Sequence, residues 1–220
     1  MQALDAGQSG RLGAGDTVRR MLETIAAHAE SSPSAARLAV PPGHVYPWYV
    51  RLIFALQRRR YGAELESARI WGRLPRSFLA LTLLYRTLER RNSPLEPALR
   101  ALVLVRISQI NWCAFCVDLN SAAALERAVA PEKLAALEDF ERSALFTERE
   151  KAALAYAEAL TDPARRVDDA CFARLRAQFE EQAALELTAL AAFQNLSSKF
   201  NAALGVPAQG FCSLTARKGV

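Results

Sequence analysis

Apolar residues along this chain recur at the three- and four-residue spacing of α-helices, and no segment alternates as a β-strand would. Residues 98–107 are apolar on nearly all sides, which predicts a buried helix opened by Pro94 and Pro97. Other helices are predicted over residues 16–31, 48–61, 75–91, 111–129, a short segment from 131, 151–160, 168–179 and a long last segment ending at 204. We therefore expect an all-α bundle.

Residues that favour helix ends support several of these boundaries. Gly62 can end the helix predicted over 48–61, because glycine tolerates the left-handed backbone found after many helices. Thr147 and Glu150 have the spacing of a capping box at the start of the helix over 151–160. Either Asp168 or Asp169 can cap the next helix.

Three regions are predicted along the chain. Residues 1–15 are rich in glycine and contain no apolar segment typical of a secretory signal, so we expect a flexible tail. Residues 16–47 contain a helix capped by Asp16 and then a proline-rich, irregular connection. Residues 48–220 form the main helical domain, which is long enough to bury a substantial core. We expect a cytoplasmic protein.

The formal net charge of +5 raises the question of a nucleic-acid or acidic membrane partner. The densest basic run, Arg58 to Arg60, lies at the end of a predicted helix, where cations interact favourably with the helix dipole. Elsewhere arginine and glutamate are interspersed, and no known nucleic-acid-binding motif is present. No apolar run approaches the roughly 18 residues of a membrane span. We predict neither a nucleic-acid nor a membrane partner.

Cys113 and Cys116 form a CxxC motif, the strongest indication of chemistry in the sequence. Residues at i and i+3 of a helix lie on the same face, so the two thiols can form a disulfide without unfolding the backbone. Asn111 is a suitable N-cap, which would place the motif in the first turn of a helix. The positive end of the helix dipole stabilises a thiolate, the species that attacks peroxides and disulfides.

Other interpretations of the motif compete with a redox centre. A structural zinc site needs about four ligands, and the remaining candidates, Cys171, Cys212, His28 and His44, are isolated in the sequence. A thioredoxin-like domain needs a βαβ pattern, which is absent. The two motif cysteines can also simply pack in the core. We predict no metal and no cofactor, packing roles for Cys171 and Cys212, and surface or packing roles for both histidines.

The run from Arg106 to Asp118, RISQINWCAFCVD, resembles the CxxC segment of the carboxymuconolactone decarboxylase / alkyl hydroperoxidase D family. The stretches FQNL at 193–196 and FNAALG at 200–205 are similar to that family's C-terminal helix. The resemblance covers about residues 48–211. It implies an alkyl hydroperoxidase D-like helical bundle, homo-oligomers, and peroxide reduction. Cys116 would attack the peroxide, and Cys113 would be the partner exposed to an external reductant.

This chain departs from the family's redox-active pattern at two positions. The pattern has a histidine four residues after the second cysteine and a glutamate twelve residues before the first, where this chain has Asn120 and Ala101. In the family, those two residues would relay the thiol proton. Asn120 lies one helical turn from Cys116 and can donate a hydrogen bond to a thiolate, but it cannot carry a proton. Losing a general base typically lowers a rate about 10²–10⁴-fold.

We expect a thiol-dependent peroxidase, an oxidoreductase with peroxiredoxin-type activity on a small hydroperoxide and recycled by an unidentified thiol reductant. Two alternatives stay open. Asn120 and Ala101 favour a redox-sensing or scaffold protein without efficient turnover. The family also contains cofactor-free lyases, in which a CxxC motif serves no purpose. Asp118, on another helix face than Cys116, is expected to cap a helix or lie at the surface.

An aromatic-rich segment precedes the cysteine motif in the sequence. It predicts either an apolar pocket for a hydrophobic hydroperoxide or packing in the core and at a subunit interface. The residues concerned are Tyr46, Trp48, Tyr49, Phe54, Tyr61 and Trp71.

Overall fold

The computed structural model describes residues 35–218 together with Glu23. Within 35–218 the secondary structure is entirely helical, which confirms the predicted all-α fold. Most of the helix predicted over 16–31, and the tail at 1–15, lie outside the described residues. The α-helices are α1 (Trp48–Tyr61), α2 (Glu66–Trp71), α3 (Pro75–Leu88), α4 (Pro97–Ile110), α5 (Ala114–Glu126), α6 (Pro131–Ala135), α7 (Glu148–Thr161), α8 (Asp169–Arg176), α9 (Glu181–Ala203) and α10 (Phe211–Lys218), with a 3₁₀ helix at Leu137–Asp139.

Local sequence features determine several helix ends, as predicted. Helix α1 ends where Gly62 adopts a φ of 76°, and the Gly62 N–H donates to the carbonyl of Arg58. Proline occupies the first turn of α3, α4 and α6. Thr147 and Glu150 form both hydrogen bonds of the capping box before α7. At α8 the cap is Asp168, whose side chain accepts from the N–H of Cys171.

Helix α4 lies at the centre of the bundle, where it packs against α5, α7 and α9. All of its side chains from residue 99 to 105 are buried, and so are those from 107 to 109. A helix enclosed by neighbours on several sides needs apolar residues around its whole circumference, which explains the nearly continuous apolar run. Because α5 and α9 pack directly on α4, this helix sets the separation of the two elements that carry most of the candidate site.

Helix α10 was not predicted, since the sequence pattern ends the last helix near residue 204. Its first backbone N–H groups are satisfied by Asp118 of α5, which is distant in sequence. One carboxylate oxygen accepts from the N–H groups of Gln209 and Phe211, and the other accepts from Cys212. Asp118 thus caps a helix, as one alternative predicted, but it is buried rather than at the surface.

The remaining differences concern the ends and connections of the helices. The short helix α2 was not predicted, and the helix predicted from residue 111 begins only at Ala114. Residues 35–47 contain no helix, in agreement with the proline-rich connection. The domain boundary at residue 47 stays a prediction. None of the helices described between residues 48 and 218 combines the length and apolar character needed to cross a membrane.

Candidate functional site

Cys113 and Cys116 are joined by a disulfide at the start of α5, with their Cα atoms 5.2 Å apart. Helix α4 ends just before the motif, and Trp112 turns the chain with a φ of 52°. Cys113 is then the N-cap of α5, and its sulfur accepts from the N–H of Cys116 at 3.2 Å. The sharp turn between two packed helices therefore places both sulfurs at the positive end of α5.

The predicted capping role of Asn111 is wrong, because the chain passes through the Trp112 turn before α5 begins. Asn111 instead lies at the C-terminal end of α4. Its side-chain amide donates to Asn195 Oδ1 at 2.9 Å and to Ser198 Oγ at 2.8 Å, both on α9. Asn111 thus ties the turn that precedes the motif to α9.

The two motif cysteines differ in their surroundings, although both are buried. Cys116 is 4% exposed and forms part of the wall of a large cavity, whereas Cys113 is 1% exposed and does not line it. The resemblance implied that Cys113 would be exposed to an external reductant. In the structure Cys113 is buried, and its sulfur caps α5 and bonds to Cys116.

The cavity beside Cys116 has a volume of about 900 Å³ and is enclosed mainly by apolar side chains of α1, α3 and α9. Four residues of the predicted aromatic segment line it: Trp48, Tyr49, Tyr61 and Trp71. The other two pack elsewhere, with the ring of Tyr46 edge-on to that of Phe54 at 4.9 Å. Both predicted uses of the segment, pocket and packing, therefore occur.

The polar groups on the cavity wall are amides, hydroxyls and two arginines. Among the described residues, no carboxylate and no histidine lines it. Gln57 lines the cavity, and its side-chain oxygen is buried without a hydrogen-bond partner in the described part of the chain.

Asn120 forms no described hydrogen bond to the sulfurs of the disulfide, and its predicted hydrogen bond to a thiolate stays a prediction. Its amide donates to Ser108 Oγ at 3.0 Å, and Gln194 of α9 donates to the same oxygen at 2.9 Å. Ser108 in turn donates to the carbonyl of Leu104 at 2.6 Å. Ala101, where the family has its glutamate, is buried in the core. Both relay positions therefore carry uncharged side chains, one in the core and one on the cavity wall.

The side chain that reaches Cys116 is Asn201, near the C-terminal end of α9. Its amide nitrogen lies 3.3 Å from Cys116 Sγ, and its oxygen accepts from Ser67 Oγ of α2 at 2.7 Å. Asn201 belongs to the FNAALG stretch that resembles the family's C-terminal helix, and no role was predicted for it from the sequence. Finding that role requires knowing how α2, α5 and α9 pack, because the three residues are far apart in the sequence.

The cysteines outside the motif have thiols that ionise poorly. Burial, together with the charge of the nearby Asp118 carboxylate, raises the pKa of Cys212 to about 12. Burial, together with the Asp168 charge, also raises the pKa of Cys171. His44 packs edge-on against Tyr46, and His28 lies outside the described residues. Within the described chain, no group of three or more His, Cys, Asp or Glu side chains is placed to hold a metal ion.

Comparison with known proteins decides the family. The model of the carboxymuconolactone decarboxylase family matches residues 76–159, which include both motif cysteines. The uncharacterized protein YnjA of Escherichia coli (strain K12) is 43% identical over 181 residues, covering 82% of this chain and 100% of YnjA. The chain belongs to the carboxymuconolactone decarboxylase family. This membership confirms the resemblance inferred from the cysteine segment.

Solved structures share the family's fold at lower identity. An uncharacterized peroxidase-related protein from Silicibacter sp. TM1040 superposes with a TM-score of 0.72 at 20% identity, over 83% of this chain and 96% of the other. The debrominase Bmp8, in its apo form, superposes with a TM-score of 0.68 at 22% identity, over 78% and 91% of the two chains. A peroxidase-related protein and a debrominase share this fold, so the fold alone does not determine the activity of this family member.

Proposed function

We propose that this chain is a thiol-dependent oxidoreductase with peroxiredoxin-type activity, which reduces organic hydroperoxides through Cys113 and Cys116. The observation that carries the proposal is the placement of Cys116. Cys116 is bonded to Cys113 and, at the same time, forms part of the wall of an apolar cavity of about 900 Å³. A substrate in that cavity meets one thiol of a pair that is already within bonding distance of its partner.

The proposed cycle converts one hydroperoxide into an alcohol and water. The Cys116 thiolate attacks a peroxide oxygen, the O–O bond breaks, and the leaving alkoxide takes up a proton to form the alcohol. Cys116 is then a sulfenic acid. Cys113 attacks this sulfur, the S–S bond forms and the S–O bond breaks, and hydroxide leaves as water with the proton of the Cys113 thiol. An external thiol reductant returns two electrons and two protons to the disulfide.

The cavity supports an organic substrate in preference to hydrogen peroxide. Ligand sites of roughly 300–1,000 Å³ with apolar walls typically bind molecules with a hydrophobic body. Trp48, Trp71 and Phe78 would contact such a body. Hydrogen peroxide gains nothing from apolar walls, because it has no apolar surface to bury.

Steady-state turnover tests the proposal. Reduced protein is mixed with cumene hydroperoxide or hydrogen peroxide, with dithiothreitol as reductant, and the loss of peroxide is followed. We expect faster turnover of the organic substrate and none in Cys113→Ser or Cys116→Ser, while Cys171→Ser serves as the matched cysteine control. Absence of turnover in the unmodified protein, or turnover that survives alkylation of both motif thiols, would contradict the proposal; the second result would favour a lyase-like mechanism.

Redox sensing without efficient turnover is the second candidate, and two observations favour it. Asn120 and Ala101 occupy the relay positions, and Cys113 is buried where a reductant would need to reach it. A sensor would form the disulfide once per exposure to peroxide and would be re-reduced slowly. Comparing the rate of disulfide formation with the rate of its reduction by dithiothreitol separates the two candidates.

We also propose that the chain forms homo-oligomers in the cytoplasm, where thiol reductants are abundant. Trp48, Leu52 and Leu56 repeat every fourth residue on α1 and are exposed. Leu83, on the wall of the same cavity, and its neighbour Leu84 are exposed on α3. Exposed apolar surface of this kind is typical of a protein interface. Sedimentation of the wild type and of Leu52→Asp tests this, with a smaller species expected for the variant.

A further inference from the structure

We infer that Asn201, held in place by Ser67, stabilises the Cys116 thiolate and positions its sulfur. The histidine and glutamate of the family's redox-active pattern are absent from this chain and cannot do so. The inference rests on the proposed function of Cys116 as the attacking thiol. Asn201 is 1% exposed, and its amide nitrogen is 3.3 Å from the sulfur. A hydrogen bond in a buried site is electrostatically stronger than in water, so one neutral donor can shift the ionisation of a thiol measurably.

The orientation of the Asn201 amide follows from its two partners. Ser67 Oγ donates to the side-chain oxygen at 2.7 Å, which leaves the NH₂ group facing Cys116. Sulfur in a disulfide or a thiolate accepts hydrogen bonds and has no proton to donate, so the reverse orientation would place two acceptors together. The sulfur therefore selects the NH₂ end of the amide, and the Ser67 hydroxyl holds the opposite end in place.

Ser67 itself is on a well-anchored helix. The preceding residue, Glu66, donates its N–H to the side-chain oxygen of Gln209 at 2.8 Å, and the Gln209 amide donates to the carbonyl of Glu64 at 3.1 Å. The backbone N–H of Gln209 bonds to Asp118, two residues after Cys116. The hydroxyl that holds Asn201 in place is thus tied back to the same helix that carries the thiol.

The titratable groups around Cys116 do not offer a substitute base. Tyr49, Tyr61, Tyr85, Arg60 and Arg86 line the same cavity, and among the described residues α9 presents only amides, a hydroxyl and apolar groups to it. Burial raises the pKa of Tyr61 and of Tyr85, so both stay neutral and protonated at physiological pH.

On the helix that carries Cys116, the carboxylate oxygens of Asp118 are occupied by three backbone N–H groups. Both arginines are at the exposed side of the cavity, and Arg60 is paired with Glu126. The uncharged Asn201 amide is therefore the donor that meets the sulfur.

The test measures the ionisation of Cys116 directly and needs no peroxide. In a Cys113→Ser background, the rate of Cys116 alkylation by iodoacetamide is followed against pH by peptide mass spectrometry. We expect Asn201→Ala to move the midpoint of the profile upward by about one to two pH units, the effect of losing a hydrogen bond to a charged group. Asn201→Asp should move it at least as far, because it adds a negative charge beside the thiolate.

Two further variants separate positioning from general loss of structure. Ser67→Ala should shift the midpoint in the same direction by a smaller amount, and Ser67→Thr, which keeps the hydroxyl, should restore it. Gln182→Ala removes another α9 amide, one that bonds to Glu186 near the start of the helix and away from the motif, and should leave the midpoint unchanged.

An unchanged midpoint in folded Asn201→Ala overturns the inference, and so does an unchanged midpoint in Ser67→Ala if Asn201→Ala does not fold. A shifted midpoint in a protein that lacks peroxide turnover supports the hydrogen bond while refuting the proposed function, so the two failures are distinguishable.

Discussion

Helix α4 separates two regions of this protein, one with charged side chains in ion pairs and one with uncharged polar side chains. On one side, Arg106 donates to Glu158 of α7 at 2.6 Å, and Arg165 donates to the other oxygen of the same carboxylate at 2.7 Å. On the other side, two residues further along α4, Ser108 is surrounded by the uncharged amides of Asn120 and Gln194. We refer to these as the charged region and the neutral region.

The difference shows what each region can contribute. The charged region joins α4 to α7 and to the segment after α7, and its role is structural, because its ions satisfy one another. The neutral region adjoins the cysteine motif, and its described hydrogen-bonding side chains neither add charge nor carry a proton at physiological pH. The reactivity of the motif thiols therefore depends on the helix end and on hydrogen-bond donors.

The largest effect is expected in the charged region, from Glu158→Ala. The variant leaves the half-buried Arg106 without its carboxylate, and removing one partner of such a buried pair typically costs about 3–5 kcal/mol of unfolding free energy. Chemical denaturation measures it. The matched control, Glu141→Ala, removes the exposed partner of Arg174 and should cost at most about 1 kcal/mol. A change in Cys116 alkylation in folded Glu158→Ala would contradict the separation of the two regions.

A base introduced into the neutral region should increase the rate at which the motif thiols react with peroxide. Asn120→His places an imidazole one turn from Cys116, at a position on the cavity wall. We expect a gain of up to about 10²-fold in the rate of disulfide formation near neutral pH, the lower range for general-base catalysis. Stopped-flow measurement of disulfide formation is the readout. An unchanged rate would show that proton removal does not limit the reaction.

Much of the architecture could be predicted because it is encoded locally. The spacing of apolar residues in α4, the glycine after α1 and the capping residues before α7 each act within a few positions of the chain, so a single sequence displays them. The CxxC motif is equally local. Its two sulfurs approach each other because Cys113 caps the helix whose first turn contains Cys116.

The interactions that complete the site could not be predicted, because each joins segments far apart in the sequence. Asn201 reaches Cys116 only through the packing of α9 on α5, and Asp118 caps α10 from a different helix. Asn111 was assigned to the wrong helix end because the left-handed turn at Trp112 is not marked by a glycine. Asn120 has the predicted spacing from Cys116, but Ser108 is its hydrogen-bond partner.

A smaller effect is expected from the cap of α7, the helix that carries Glu158. Thr147→Ala removes the side-chain oxygen that accepts from the N–H of Glu150, which typically costs about 1 kcal/mol. Thermal or chemical unfolding measures the loss. Thr87→Ala is the control, because Thr87 is exposed and caps no helix start, so its loss should be within about 0.5 kcal/mol. Equal losses in the two variants would show that the cap contributes nothing specific.

The smallest expected effect is a change in acid stability at a second charged contact. Burial raises the pKa of Glu186, but hydrogen bonds from Gln182, Ser93 and Arg90 and the charge of Arg90 outweigh it, so the pKa lies below its ordinary value of 4.5. Because its pKa is depressed on folding, the Glu186 carboxylate contributes its full stabilisation above pH 4.5. This contribution is lost as the pH falls through the depressed pKa. Glu186→Gln should therefore lose less unfolding free energy than the wild type below pH 4.5. Equal losses of unfolding free energy in the variant and the wild type would contradict a depressed pKa for Glu186.

Cys116, on the cavity wall, is the residue whose sulfur we propose meets the peroxide. The most direct test is to trap sulfenic acid with dimedone after one equivalent of cumene hydroperoxide and to locate the adduct by mass spectrometry. We predict an adduct on Cys116 in Cys113→Ser and none on Cys113 in Cys116→Ser. An adduct on Cys113, or no adduct in either variant while the peroxide is consumed, would contradict the account.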